Sequence, residues 1–168
     1  LHCLLRRQRQ MCIRDSTSHT LDDVMFMQQM IPHHKQALVL SKLAPERTNS
    51  EAILELAKKI ETSQEDEILF MQSWLQDRDE SHQHSMNHSH MQMMGMATPN
   101  QINELSNSES VNFDELFLRL MIAHHEGAIK MVDHLNDQPG STYDEVLNEF
   151  VSDPVSYTHL RAHETTRH

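Results

Sequence analysis

Two stretches of this chain repeat one chemistry-bearing pattern. Phe26-Met27-Gln28-Gln29-Met30-Ile31-Pro32-His33-His34-Lys35-Gln36-Ala37 and Phe117-Leu118-Arg119-Leu120-Met121-Ile122-Ala123-His124-His125-Glu126-Gly127-Ala128 both set adjacent histidines after a Met-Ile pair. Between them, residues 81–97 hold His82, His84, Met86, His88, His90, Met91, Met93, Met94 and Met96, with no large aliphatic residue among them. Imidazole and thioether without thiolate make a soft donor set, suited to Cu(I) and Ag(I), with Cu(II) accessible through the imidazoles. The 81–97 stretch cannot build an apolar core of its own, and as a flexible tether with many weak ligands it could wrap a metal ion.

Helices must position these groups. At steps of about 100° per residue, Phe26, Met27, Met30, His34, Ala37, Leu38 and Ser41 share one arc, with His34 near its centre and His33 at its edge. In the second copy His125 takes the central place among Phe117, Leu118, Met121, Ala128, Ile129 and Val132, and His124 the edge. His34 and His125 are therefore expected to point inward. A further helix carries the apolar stripe Ile53, Leu56, Ala57, Ile60, Ile68, Met71, Trp74 and Leu75, interrupted by Gln64 and Glu67. Polar groups at core positions need partners, and the simplest assembly sets Gln64 and Glu67 opposite His34 and His125, with Met30, Met71 and Met121 around them. A neutral imidazole donating to a buried carboxylate is also a self-sufficient network, and methionine a common core filler. A purely structural role thus stands beside the metal reading.

The periodicity is helical almost throughout. Thr20 with Asp23 caps a helix reaching to about Ala44, where Pro45 stops it, and Thr48 with Glu51 opens a second helix to about Asp79. Thr98-Pro99 starts a short helix through Leu105. Asn112 with Glu115 opens a third long helix to about Asn136, ended by Pro139-Gly140, and Ser141 begins a fourth, Tyr143 to Phe150. Two helical hairpins of one design predict an all-α, antiparallel four-helix bundle of the ferritin-like kind, its fourth helix truncated.

The truncation is expected from the ends of the chain. Arg6 to Asp15 resembles the in-frame translation of a transposase-type sequencing adapter, and Val155 to Thr165 resembles that of its partner on the other strand. Residues 1–16 and 154–168 are accordingly expected to be adapter-derived, leaving 17–153 as a gene fragment open at both ends, with any signal peptide outside it. Both cysteines, Cys3 and Cys12, fall in the excluded part, which removes disulfide and thiolate chemistry. Six of the 14 Lys and Arg and two of the 25 Asp and Glu go with them, leaving 8 against 23, a net charge near −15. Such a surface repels nucleic acid and anionic membranes and attracts cations. No stretch is long or apolar enough to span a bilayer. With most of its fourth wall missing, the fragment is expected to leave Leu118, Met121, His125 and Ile129 partly open to water and to self-associate over them.

Taken together, the His-His motifs, Gln64-x-x-Glu67-Ile68-x-x-Met71-x-x-Trp74-Leu75, Met93-Met94-Gly95-Met96 and Phe113-Asp114-x-x-Phe117 resemble the CopM-like family across nearly all of 17–153. The resemblance implies a bacterial, largely exported protein with a ferritin-like bundle, from a family some of whose members bind copper in the periplasm. Carried onto this chain, it implies that His33, His34, His124, His125, Met30, Met121 and the Met93 to Met96 cluster are ligands; Met27, Glu67 and Met71 join them from the helical placement. The resulting expectation is a non-enzymatic, exported module that sequesters copper or hands it to other copper-handling proteins. The alternatives are a ferritin-like di-iron redox enzyme, which needs Glu-x-x-His on two helices, and a helical scaffold without metal. No Glu-x-x-His occurs in 17–153.

Overall fold

The Thr20 hydroxyl accepts the backbone N–H of Asp23 at 3.2 Å, and the Asp23 carboxylate accepts the Thr20 N–H at 2.7 Å. This reciprocal cap opens the first helix of a computed structural model that describes residues 19–80, 94–141 and 146–148. Those residues form α1 (Leu21–Ser41), α2 (Ala44–Arg47), α3 (Glu51–Asp77), α4 (Pro99–Asn107) and α5 (Ser110–Asn136), with a helical turn at 146–148 and no strand. The all-helical architecture is the one expected.

Several boundaries differ from the sequence reading. α1 runs through Pro32 and ends at Ser41, not Ala44. Pro45 does not stop it but lies in the first turn of α2, where a missing N–H is one the helix leaves unpaired anyway. Thr48 is not the cap of α3: its hydroxyl accepts the Ser50 N–H at 3.0 Å, and Ser50 occupies the cap position. α5 starts at Ser110 behind Glu109, two residues before Asn112. Thr98 caps α4 as expected, in a reciprocal pair with Gln101.

α1 packs against both α3 and α5. Val24, Phe26, Met27 and Met30 near its start cluster with Met71, Trp74 and Leu75 late in α3 and with Met131 and Leu135 late in α5. Ala37 and Leu40 near its end cluster with Leu56 and Ile60 early in α3 and with Phe113, Phe117 and Met121 early in α5. Both partners therefore run antiparallel to α1 and parallel to each other, the up-down-down order of a ferritin-like bundle with one long crossover. All eight residues of the α3 stripe are buried. At roughly 1.5 to 3 kcal/mol for each large apolar side chain taken from water, this stripe and the phenylalanines Phe26, Phe113 and Phe117 hold the helices together. Leu147, in the helical turn at 146–148, is fully buried against the first cluster. The rest of the expected fourth helix lies outside the described residues, as do the ends assigned to adapter.

Candidate metal centre

A polar layer divides the core at one level. On α1, His33 and His34 fall between the residues of the two apolar clusters; on α3 Gln64 and Glu67 do, and on α5 His124 does. The antiparallel crossing of α1 and α5 stacks His33 on His124, with ring centroids 3.8 Å apart and planes tilted by 35°. Each is 1% exposed.

Hydrogen bonds fix the tautomers. His124 donates from Nε2 to the His33 carbonyl at 2.8 Å, and His33 donates from Nε2 to the Met94 carbonyl at 3.1 Å. With the proton on Nε2, Nδ1 carries the lone pair. Nδ1 of His33, His34 and His124 are all buried without a hydrogen-bond partner. Burial, reinforced by His34 and opposed by the bond to Met94, lowers the pKa of His33 from 6.5 to about 4. Burial, reinforced by His33 and opposed by the bond to its carbonyl, lowers that of His124 from 6.5 to about 2. Both rings are therefore neutral at physiological pH. A neutral imidazole oriented by a backbone carbonyl, with its second nitrogen bare, has the form of a metal ligand.

The remaining candidates separate into groups. His34 donates from Nε2 to Glu67 Oε2 at 2.5 Å, and the Ser63 hydroxyl donates to Glu67 Oε1 at 2.9 Å, so His34 and Glu67 form a tied pair. Gln64 is buried in the same layer with its Oε1 unpartnered. Met30 and Met121 each stand three residues before the first histidine of their motif, a spacing that puts them on the same helical face, and both are buried. Met27 and Met71 are fully buried in the first apolar cluster. Met94 and Met96 are half-buried, while His82, His84, Met86, His88, His90, Met91 and Met93 lie outside the described residues. Among the described residues no three His, Cys, Asp or Glu side chains converge to hold a metal.

Several expectations are overturned. His125, expected to point inward, is half-buried and donates from Nδ1 to the Met121 carbonyl one turn back at 2.8 Å. His124, expected at the edge, is the buried member of the pair, and His33 is likewise no edge residue. The predicted arc assumed that Leu118 and Ile129 mark the inner face, yet Leu118 is half-buried and Ile129 is 43% exposed. The covered face runs instead through Leu120, Met121, His124, Gly127, Ala128 and Met131, because a second neighbour crosses α5 at Gly127. Of the four residues expected to be partly open to water, Leu118, His125 and Ile129 are, whereas Met121 is fully buried.

That neighbour is Met94-Gly95, expected from the sequence only as part of a ligand-bearing tether. A Cβ on Gly127 would overlap the Met94 carbonyl, and one on Gly95 would overlap the Ala123 carbonyl. Gly95 also has φ of +70°, a conformation that L side chains rarely adopt. Gln36 completes the contact by donating from Nε2 to the Ala97 carbonyl at 2.9 Å and accepting the Ala97 N–H at 2.6 Å. The signal available in the sequence was a glycine inside a long helix of a chain with only three glycines.

The comparisons with known proteins agree with this architecture. The family described as "Domain of unknown function (DUF305)" matches residues 23–153. A DUF305 fragment from Deinococcus radiodurans superposes with a TM-score of 0.72 at 30% identity, covering 88% of this chain and 96% of that one. A DUF305 protein from Streptomyces coelicolor, described as a candidate secreted protein, gives 0.71 at 25% identity, covering 84% and 88%. An uncharacterized protein of Acanthamoeba polyphaga mimivirus is 40% identical over 62 residues, 37% of this chain and 41% of its own length. This chain thus spans less than half of that curated relative. With most of its length matched and its fold shared, the chain belongs to the DUF305 family of helical domains.

Proposed function

We propose that this protein is an exported metal-binding module that holds copper, Cu(I) in preference to Cu(II), through Nδ1 of His33 and His124 and the thioethers of Met30 and Met121. It sequesters the ion or passes it to other copper-handling proteins, and it catalyses no turnover. The reading rests on one observation: two stacked, neutral, fully buried imidazoles whose lone-pair nitrogens have no partner. A buried polar atom left unsatisfied costs roughly 1 to 3 kcal/mol, a cost that binding an ion removes. The histidines and methionines of residues 81–97 would add weaker soft sites. Export is supported by the secreted description of the Streptomyces coelicolor relative and by the absence of cysteine from 17–153, which suits an oxidising compartment. Among the described residues no helix is long and apolar enough to cross a membrane.

A metal-free scaffold is favoured by a different observation, the His34–Glu67 pair, in which a carboxylate already accepts the imidazole N–H. Competition against a chromophoric Cu(I) chelator, run in parallel with Zn(II), separates the two. Withdrawal of Cu(I) from the chelator with weaker Zn(II) binding supports the soft site. Failure to compete while Zn(II) binds tightly sinks it.

A further inference from the structure

The two helical repeats diverge where the bundle meets the end of its Met- and His-rich stretch. Aligned on their histidine pairs, Gln36 of the first repeat corresponds to Gly127 of the second, and Pro32 to Ala123. Three of these four residues touch the segment 94–97. Gln36 grips the Ala97 backbone through both its amide atoms, Gly127 gives the space for the Met94 carbonyl, and the Ala123 carbonyl lies against Gly95. The segment is thus held on both sides, by α1 and by α5. The Met94 carbonyl, fixed by that grip, is the acceptor for His33 Nε2–H.

We propose that Met94–Ala97 is a latch and that Gln36 and Gly127 are positioning residues for the His33–His124 pair. They hold the Met94 carbonyl where it keeps the His33 proton on Nε2 and leaves Nδ1 bare. The significance for metal binding rests on the copper reading above, but the positioning itself does not. Two features argue for a device rather than a passing contact. Both positions are filled by residues that fit the contact specifically: a side-chain amide matches the donor and acceptor of one peptide, and a glycine lies where any Cβ would strike a carbonyl. The segment also touches both helices that bear the buried pair, so one backbone contact bears on His33 and His124 together.

NMR of the metal-free, 15N-histidine-labelled chain tests this without copper. The wild type should show a slowly exchanging His33 Nε2–H and a single tautomer. Gln36→Ala should lose that protected signal and give a mixture of tautomers, with helicity unchanged by circular dichroism. Gly127→Ala should do the same by pushing the Met94 carbonyl away, and Gln36→Glu, which keeps the acceptor for the Ala97 N–H, should recover part of the protection. In a parallel titration Gln36→Ala should bind Ag(I) about tenfold more weakly, as expected when a group that orients a ligand is removed. Retention of the protected His33 ring proton and of wild-type Ag(I) affinity in both Gln36→Ala and Gly127→Ala would overturn the latch. A wild type that ignores Ag(I) and Cu(I) counts against the copper reading instead, while the ring-proton result still decides the latch.

Discussion

The same His-His dipeptide is used differently on α1 and α5. On α1 both histidines are buried, one stacked on His124 and the other tied to Glu67; on α5 only the first is buried, and the second turns to a carbonyl of its own helix. The difference lies in the neighbours. α1 has α3 beside it to receive His34, whereas α5 meets α1, α2, α4 and the 94–97 latch, and on it His125 is left half-buried. Similar local sequence therefore yields one buried imidazole pair across the helices, His33 with His124, rather than one on each helix.

The largest effect expected from that asymmetry is acid sensitivity. His33 and His124 have folded pKa values of about 4 and about 2, below the 6.5 of the free side chain, so the unfolded chain binds more protons than the native one below pH 6.5. Stability is then full above pH 6.5 and falls as pH drops through 6.5 towards 4, by on the order of 1 kcal/mol per pH unit for each histidine. Urea unfolding at a series of pH values checks this, and in a His124→Ala variant the slope should drop by about half. A flat profile between pH 6.5 and 4 would show that the pair is not buried and neutral.

Side-chain truncation should rank three of the four histidines. His124→Ala removes a fully buried ring and leaves a cavity, a loss of roughly 2 to 4 kcal/mol by equilibrium unfolding. His34→Ala leaves Glu67 without its imidazole partner and should cost roughly 1 to 3 kcal/mol. His125→Ala, at a half-exposed position, should cost less than about 1 kcal/mol. Equal losses for His124→Ala and His125→Ala would erase the distinction between the two motifs.

How much of this was readable in advance follows from what each signal depends on. The α3 stripe was legible because its eight apolar residues face one direction and the interruptions at Gln64 and Glu67 fall at one level. The pairing of Glu67 with His34 followed from the need to satisfy polar groups in a core. The orientation of α5 was not legible: Leu118, Ile122 and Ile129 are as apolar as the residues that are covered, and periodicity alone cannot say which flank meets a neighbour. The latch was hidden more deeply, because Gln36 and Gly127 act through backbone atoms of residues about 60 and 30 positions away, contacts that no local pattern encodes. Pro45 misled for a simple reason, since proline marks a helix start as well as a helix end.

The central claim is that the first histidine of each motif, and not the second, supplies the ligand nitrogens. Titration of the 15N-histidine-labelled protein with Ag(I), a diamagnetic substitute for Cu(I), addresses it most directly. The account predicts that Nδ1 of His33 and of His124 shift together and first, at one equivalent, while His125 is unchanged. A first equivalent that shifts His125, or that leaves both His33 and His124 unmoved, would contradict it.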